Sequence, residues 1–156
     1  MLEIDIPGFG RVKIHHLVSD FTGTLSVDGK LLPGVKERLK EIAKILSVHI
    51  LTADTFGMAE AELRGIPCVV HILTGKDHDV QKRMYVETLG AEHVAAFGNG
   101  KNDREMLQTV RIGIAVTEGE GCAVDALTAA DIHVNNAVDG LDLILKPKRC
   151  KATLRF

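Results

Sequence analysis

No two cysteines stand at C-x-x-C spacing, no apolar run reaches the length of a membrane span, and neither sign of charge dominates the chain. Each absence removes a class of function. Cys68, Cys122 and Cys150 are odd in number and far apart. They read as reduced, mostly buried thiols of a cytosolic protein, with no local setting that would activate one for catalysis. A membrane helix needs about 18 or more consecutive apolar residues, and no stretch supplies them. Met1-Leu2-Glu3-Ile4-Asp5 lacks the basic start and apolar core of a secretory signal, so the expected location is cytoplasmic. A net charge of -2 gives no general attraction to nucleic acid or to a membrane surface. The one basic cluster, Lys146, Lys148, Arg149, Lys151 and Arg155, reads as a solvated C-terminal helix or a subunit contact. Repeats and low-complexity linkers are also missing.

What is present is an ordinary globular composition. The chain has 156 residues, 46% of them apolar and 26% charged, enough for one domain over 1–156 with a sizeable core. Leu2–Ile6 and Arg11–Ser19 read as two strands around Pro7-Gly8-Phe9-Gly10, and Leu25–Leu32 as a short hairpin turning at Asp28-Gly29. A helix follows from Pro33-Gly34 to about Leu46. Strands at Val48–Thr52, Cys68–Leu73, Val94–Phe97, Ile112–Val116 and Ile132–Val134 then alternate with helices at Thr55–Arg64, Asp79–Leu89, Asp103–Thr109, Ala123–Ala130 and Val138–Leu145. Strands that are apolar throughout, each followed by a helix, predict an α/β three-layer sandwich of the Rossmann-like kind, with a central, mostly parallel sheet covered on both faces. In such a sheet ligands bind beyond the carboxyl ends of the strands. The polar residues directly after strands are therefore the ones that matter.

Four features follow that rule, in order. Asp20, in Asp20-Phe21-Thr22-Gly23-Thr24-Leu25, puts a carboxylate at the mouth of a strand, with a glycine for a sharp turn and a hydroxyl behind it. Thr52 ends the next strand and offers a hydroxyl and a backbone N–H. Lys82 brings a positive charge from a helix, with Lys76 as the weaker alternative because it precedes that helix. Asp103 closes the loop Gly98-Asn99-Gly100-Lys101-Asn102-Asp103 with a second hard oxygen ligand. Phosphoryl transfer asks for an in-line nucleophile, neutralisation of the equatorial oxygens and a divalent ion. Mg²⁺ suits one or two carboxylates together with waters and phosphate oxygens.

This order and spacing resemble the haloacid dehalogenase (HAD) superfamily, from about Leu17 to Asp103. The resemblance implies an aspartyl-phosphate formed on Asp20. It implies Mg²⁺ held by Asp20, the Thr22 carbonyl, Asn99 and Asp103. Phosphate would be held by Gly23, Thr52, Ala53 and Lys82, with Asp20, Thr22, Thr52 and Lys82 as the catalytic set. It further implies a phosphorylated small molecule as substrate. The segments Leu25 to Val48 and Thr55 to Lys82 are too short for the cap domain that many such enzymes insert, so a capless form is expected. Water exclusion would then fall to the hairpin around Asp28-Gly29 or to a neighbouring copy in a homo-oligomer.

Two departures set the limits of the resemblance. Most HAD phosphatases carry a second aspartate, an acid and base, where this chain has Thr22. Threonine there is the pattern of the P-type ATPases, in which the phosphoryl group is long-lived, although this chain has no room for their membrane or nucleotide-binding parts. The second departure is Asn99 in place of an aspartate, which removes a charge from the metal site. Asp54, two residues after Thr52, either replaces the missing acid and base or caps the next helix. The resulting reading is a slow Mg²⁺-dependent phosphohydrolase. The alternative is a weak or inactive relative that binds phosphate and Mg²⁺ as a regulatory or assembly module. The histidines have no metal-ligand spacing, and His78 and His133 read as single loop or strand-edge residues.

Overall fold

The computed structural model of the chain describes residues 1–54 and 57–156. Its centre is a parallel sheet of six strands: β3 (His16–Asp20), β6 (Ser47–Thr52), β7 (Val69–Ile72), β8 (Val94–Gly98), β9 (Ile112–Val116) and β10 (Ile132–Val134). Their spatial order is β10-β9-β8-β3-β6-β7, and every neighbouring pair is parallel. Adjacent residues along these strands point to opposite faces. Leu17, Ile50 and Ala95 go to one apolar core, and Val18, Leu51 and Ala96 to another. That two-sided burial is what makes the strands apolar throughout, and helices cover both faces as the sequence predicts.

One core also takes in α1 (Val35–Ile42) and α6 (Ala137–Leu145), through Val35, Leu39, Leu141 and Ile144. The other is closed by Val86 of α3 (His78–Thr88), Met106 and Leu107 of α4 (Arg104–Thr109) and Ala126 of α5 (Val124–Ala129). The basic tail forms α7 (Pro147–Leu154), anchored by buried Cys150. Two of the basic residues at its start share a carboxylate with α1. Asp142 faces Arg38 Nε at 2.8 Å, Lys146 Nζ at 3.1 Å and Arg149 at 3.5 Å. The three cysteines are unpaired.

The expected single strand Arg11–Ser19 is two strands in two sheets. β2 (Gly10–Ile14) pairs antiparallel with β1 (Leu2–Ile6) as a separate ribbon, and β3 begins at His16. His15 is the crossing point: its N–H donates to His93 O (2.8 Å) and its carbonyl accepts from Ser47 N (3.0 Å). The pattern differs on either side. Arg11-Val12-Lys13-Ile14 alternates, as suits a ribbon with one buried face, whereas Leu17-Val18-Ser19-Asp20 is buried throughout.

Between β3 and α1 lies the predicted hairpin, β4 (Ser26–Val27) and β5 (Lys30–Leu31). Asp28 and Gly29 both have positive φ, 52° and 77°, the geometry of a two-residue hairpin turn. Between β6 and α3 lie a short helix, α2 (Met58–Glu62), and β7. The start of that helix as predicted, at Thr55, lies outside the described residues. Neither connection carries a cap domain among the described residues, as expected from their lengths.

Candidate active site

Chain order along the sheet fixes where a site can form. From β3 the chain moves outward through β6 and β7, then returns to the other side of β3 with β8 and continues through β9 and β10. The reversal opens a crevice at the carboxyl ends of β8, β3 and β6. Asp20 is the last residue of β3, Thr52 of β6 and Gly98 of β8. A cleft of about 350 Å³ lies there, lined by Asp20, Thr22, Thr52, Ala53, Lys82 and Asn99 among others.

Lys82 is brought in by α3. Its side chain is only 2% exposed, and each of its three ammonium protons has an acceptor: Asp103 Oδ1 at 2.7 Å, Asp20 Oδ1 at 2.9 Å and Asn102 Oδ1 at 3.0 Å. Lys76 lies outside the cleft, exposed, before the helix begins. Burial by itself would lower the Lys82 pKa, but the Asp20 and Asp103 carboxylates outweigh it and raise it, so the side chain stays charged. For Asp20, burial is the largest influence and Asp103 the next. Together they push its pKa up to about 7 against the opposing pull of Lys82 and Thr24.

The loop after β8 is built around Asp103. Its Oδ1 accepts from Lys82, and its Oδ2 accepts from the backbone N–H groups of Asn99 (3.1 Å) and Gly100 (2.9 Å). Asp103 is fully buried and does not line the cleft. Gly98 makes this possible, because a Cβ there would stand 2.5 Å from the Asp103 side chain. Asn99 and Asn102 are the side chains of this loop that line the cleft, and Asn102 Oδ1 is taken by Lys82. Asn99 Nδ2 donates to Gly121 O (3.0 Å), which turns its Oδ1 towards Thr24 Oγ1 at 3.1 Å.

Thr24 carried no role in the sequence reading, yet it is fully buried and holds the nucleophile candidate. Its hydroxyl lies 2.9 Å from Asp20 Oδ2 and has one proton to give to that oxygen or to Asn99. Thr22 is exposed, while Gly23 turns the chain at φ 77° with its N–H donated to Ser26 O (3.0 Å). A Cβ on Gly23 would meet Asn99 Nδ2 at 2.5 Å, so this turn and the Asn99 loop need each other. Thr52 Oγ1 accepts from Asp54 N at 3.2 Å and keeps its own proton to donate. The Asp54 carboxylate accepts from Ala59 N (2.6 Å) at the start of α2, the geometry of a cap. His78, read from the sequence as a loop residue, is the first residue of α3 and lines the cleft. The overlooked signal was its spacing of four from Lys82, which puts both on one helix face.

The donor set suits a hard cation that keeps part of its water. Asp20, Thr22 and Asn99 bring oxygen atoms to one wall of the cleft, and Mg²⁺ is commonly held by one or two carboxylates plus phosphate oxygens. Among the described residues no cluster of three or more His, Cys, Asp or Glu side chains forms a metal cage.

Known proteins carry the same architecture. The chain is 26% identical over 152 residues to the potassium-transporting ATPase ATP-binding subunit of Thermoplasma volcanium, an alignment covering 97% of this chain and 22% of that subunit. It thus spans about a fifth of that relative. An uncharacterized protein of Methanocaldococcus jannaschii is 40% identical over 62 residues, 40% of this chain and 67% of that one. Among solved structures, 3-deoxy-D-manno-octulosonate 8-phosphate phosphatase of Moraxella catarrhalis, in complex with magnesium, phosphate and KDO, superposes with a TM-score of 0.70. The match covers 91% of this chain and 94% of that one at 18% identity, a likeness of fold. Residues 36–142, more than half of the chain and inclusive of Thr52, Lys82, Asn99 and Asp103, match the model of the haloacid dehalogenase-like hydrolases, and the chain belongs to that family.

Proposed function

We propose that the chain is a Mg²⁺-dependent phosphatase that releases inorganic phosphate from a phosphorylated small molecule through an aspartyl-phosphate on Asp20. The observation that carries this reading is convergence. A buried carboxylate, a buried lysine and a strand-end threonine meet in one cleft at the switch point of the sheet. The matched phosphatase fold, crystallised with magnesium and phosphate, supports the same reading.

In this mechanism an oxygen of Asp20 attacks phosphorus in line, the bond from phosphorus to the ester oxygen breaks, and the alcohol departs with a proton from solvent. Water then attacks the phosphoryl-aspartate, returning the carboxylate and freeing phosphate. Lys82 and the Thr52 hydroxyl offset charge on the equatorial oxygens, and the exposed Ala53 adds its backbone edge to the same wall. Mg²⁺, held by Asp20, Thr22 and Asn99, would neutralise the phosphate and favour the ionised form of Asp20. Asp103 works one layer back, fixing Lys82 and the Asn99 loop. Thr22 has no proton to exchange near neutral pH. Absence of a positioned acid and base typically slows turnover by about 10²–10⁴-fold. The open cleft would be closed by the β4–β5 hairpin or by a second copy of the chain. No helix of the described residues is long and apolar enough to cross a membrane, and a cytoplasmic enzyme fits that reading.

Thr22 also favours a second reading. A phosphoryl group that forms on Asp20 and is not efficiently hydrolysed would make the protein a regulatory or assembly module. Phosphate release from para-nitrophenyl phosphate and a phosphomonoester panel, with and without Mg²⁺, for wild type and Asp20→Asn, separates the two. Release that needs Mg²⁺ and disappears in the variant supports the phosphatase. Stable labelling of Asp20 without turnover supports the module.

A further inference from the structure

Five histidines and one tyrosine form a row of neighbouring rings. His93 stacks on His15 with ring centres 4.6 Å apart, His15 neighbours His16 (6.3 Å), His16 neighbours His49 (5.2 Å), and both His49 and His71 meet Tyr85 (5.7 and 4.9 Å). Two links in the row are hydrogen bonds. His16 Nδ1 lies 3.1 Å from His49 Nε2, and His49 Nδ1 lies 2.9 Å from the Tyr85 hydroxyl. His16 belongs to β3, His49 to β6 and Tyr85 to α3, so the two bonds tie the helix to the middle of the sheet. Tyr85 lies within one turn of Lys82 on that helix.

We propose that His49, backed by His16, is the seat of α3: it holds Tyr85, through that residue positions Lys82, and loosens when both histidines are charged. A neutral imidazole has one donor and one acceptor nitrogen, and a charged one has two donors. With both rings neutral, the two bonds form with the protons running from Tyr85 to His16 or in reverse. With one ring charged they still form: His49 then donates both ways, or His16 donates to His49 and His49 to the tyrosine oxygen. With both charged, two donors face each other at 3.1 Å. Whichever ring turns away, His49 loses the bond that fixes it from behind. Cations prevail around the row. Lys44 and the Met1 ammonium share a surface recess with His15, and Arg11, Lys13 and Arg111 share one with His93, against the single carboxylate of Glu92, 3.8 Å from His93 Nε2. On α3, Arg83 is engaged by Glu87 and Glu105. Burial first, then His15 and His93, lowers the His16 pKa; burial first, then His16, lowers that of His49. Burial raises that of Tyr85, so its hydroxyl keeps its proton. The seat is therefore intact above the ordinary histidine value of 6.5 and is lost as pH falls below it. The role of Lys82 towards phosphate rests on the phosphatase reading, whereas the seat itself does not.

The test follows ¹⁵N-labelled full-length protein by NMR across about pH 8 to 5, where histidine titrates. It reads the His16 and His49 rings, and the protection of the α3 amides and the Lys82 ammonium from solvent exchange, corrected for the intrinsic effect of pH. The first proton should leave that protection unchanged and the second should lower it about tenfold, the worth of one hydrogen bond. His16→Gln should abolish the acid step, because one charge is then the most the site can hold. Tyr85→Phe, which keeps the ring and removes the hydroxyl, should lower protection about tenfold at neutral pH and abolish the step as well. Protection that stays constant while both rings become charged, or a step that survives in His16→Gln, would overturn the proposal. Mg²⁺-dependent phosphate release that requires Asp20, found together with an unresponsive α3, would overturn the seat and leave the phosphatase reading standing. If Tyr85→Phe does not fold, wild type and His16→Gln decide.

Discussion

Lys82 and Asp103 form a closed ion pair beneath the cleft floor, Nζ 2.7 Å from Oδ1, with side chains only 2% and 0% exposed. Asp20 adds a second carboxylate at 2.9 Å. Two acids and one base therefore crowd together at the base of the cleft, and among the described residues the lysine is the counter-charge bonded to both. Replacing it with an apolar isostere, Lys82→Met, leaves Asp20 and Asp103 opposed. Breaking a buried pair from one side costs about 3–5 kcal/mol, and urea denaturation at neutral pH should show a loss of that order. A loss below about 1 kcal/mol, the range of exposed pairs, would mean that the pair is hydrated in solution.

The same crowding sets a pH dependence. Burial, then Asp103, raise the Asp20 pKa to about 7 from an ordinary 3.8. Between those values the folded protein binds more protons than the unfolded chain. The stability Asp20 contributes is therefore fully present below about 3.8 and is lost as pH rises through about 7. Without metal, wild type should lose stability relative to Asp20→Asn as pH rises through that window, the difference levelling off above it. Denaturation midpoints of the two proteins across the window measure this. Parallel curves would show that Asp20 titrates as an ordinary carboxylate.

The residues that were legible in the sequence are those whose chemistry sits at a strand end. Asp20, Thr52 and the Gly98–Asp103 loop follow apolar runs, and the parallel sheet requires such positions to meet. Lys82 was legible as well, but only through the start of the helix, which leaves Lys76 before it. Three things were hidden because they depend on side-chain direction or on distant pairing. The break at His15 is made by partners from Ser47 and His93, far along the chain. Thr24 looked like part of a turn until its hydroxyl was seen against Asp20. Asp103 and Asn99 differ in which of them faces the cleft, and that depends on two backbone N–H groups that no pattern of residue types displays.

Thr22 is exposed at the cleft, next to a glycine turn that leaves its side chain free. Thr22→Asp should therefore fold and place a carboxyl beside the departing oxygen. If the threonine is what limits turnover, the variant should release phosphate faster by about 10²-fold or more, in the range that a positioned acid and base contributes. Steady-state release measured beside the double variant with Asp20→Asn checks this, because the gain must disappear when Asp20 is lost. An unchanged rate would place the limit elsewhere, in metal binding or in closure of the open cleft.

Asn99 carries the clearest trade between stability and metal affinity. In Asn99→Asp the Nδ2 donor to Gly121 O is replaced by an acceptor, and a third carboxylate arrives near Asp20 and Asp103. An unmatched buried polar contact costs about 1–3 kcal/mol, so the metal-free variant should be less stable by that amount. Mg²⁺ should reverse the order. A carboxylate in place of an amide oxygen binds a hard cation more tightly, and stabilisation by a ligand grows with its concentration relative to its dissociation constant. Thermal denaturation at several Mg²⁺ concentrations, with calorimetric titration of Mg²⁺, should show a steeper rise in melting temperature and a smaller dissociation constant for the variant. Mg²⁺ affinity equal to or weaker than wild type would place Asn99 beyond the reach of the cation and leave Asp20 and Thr22 as its only protein ligands.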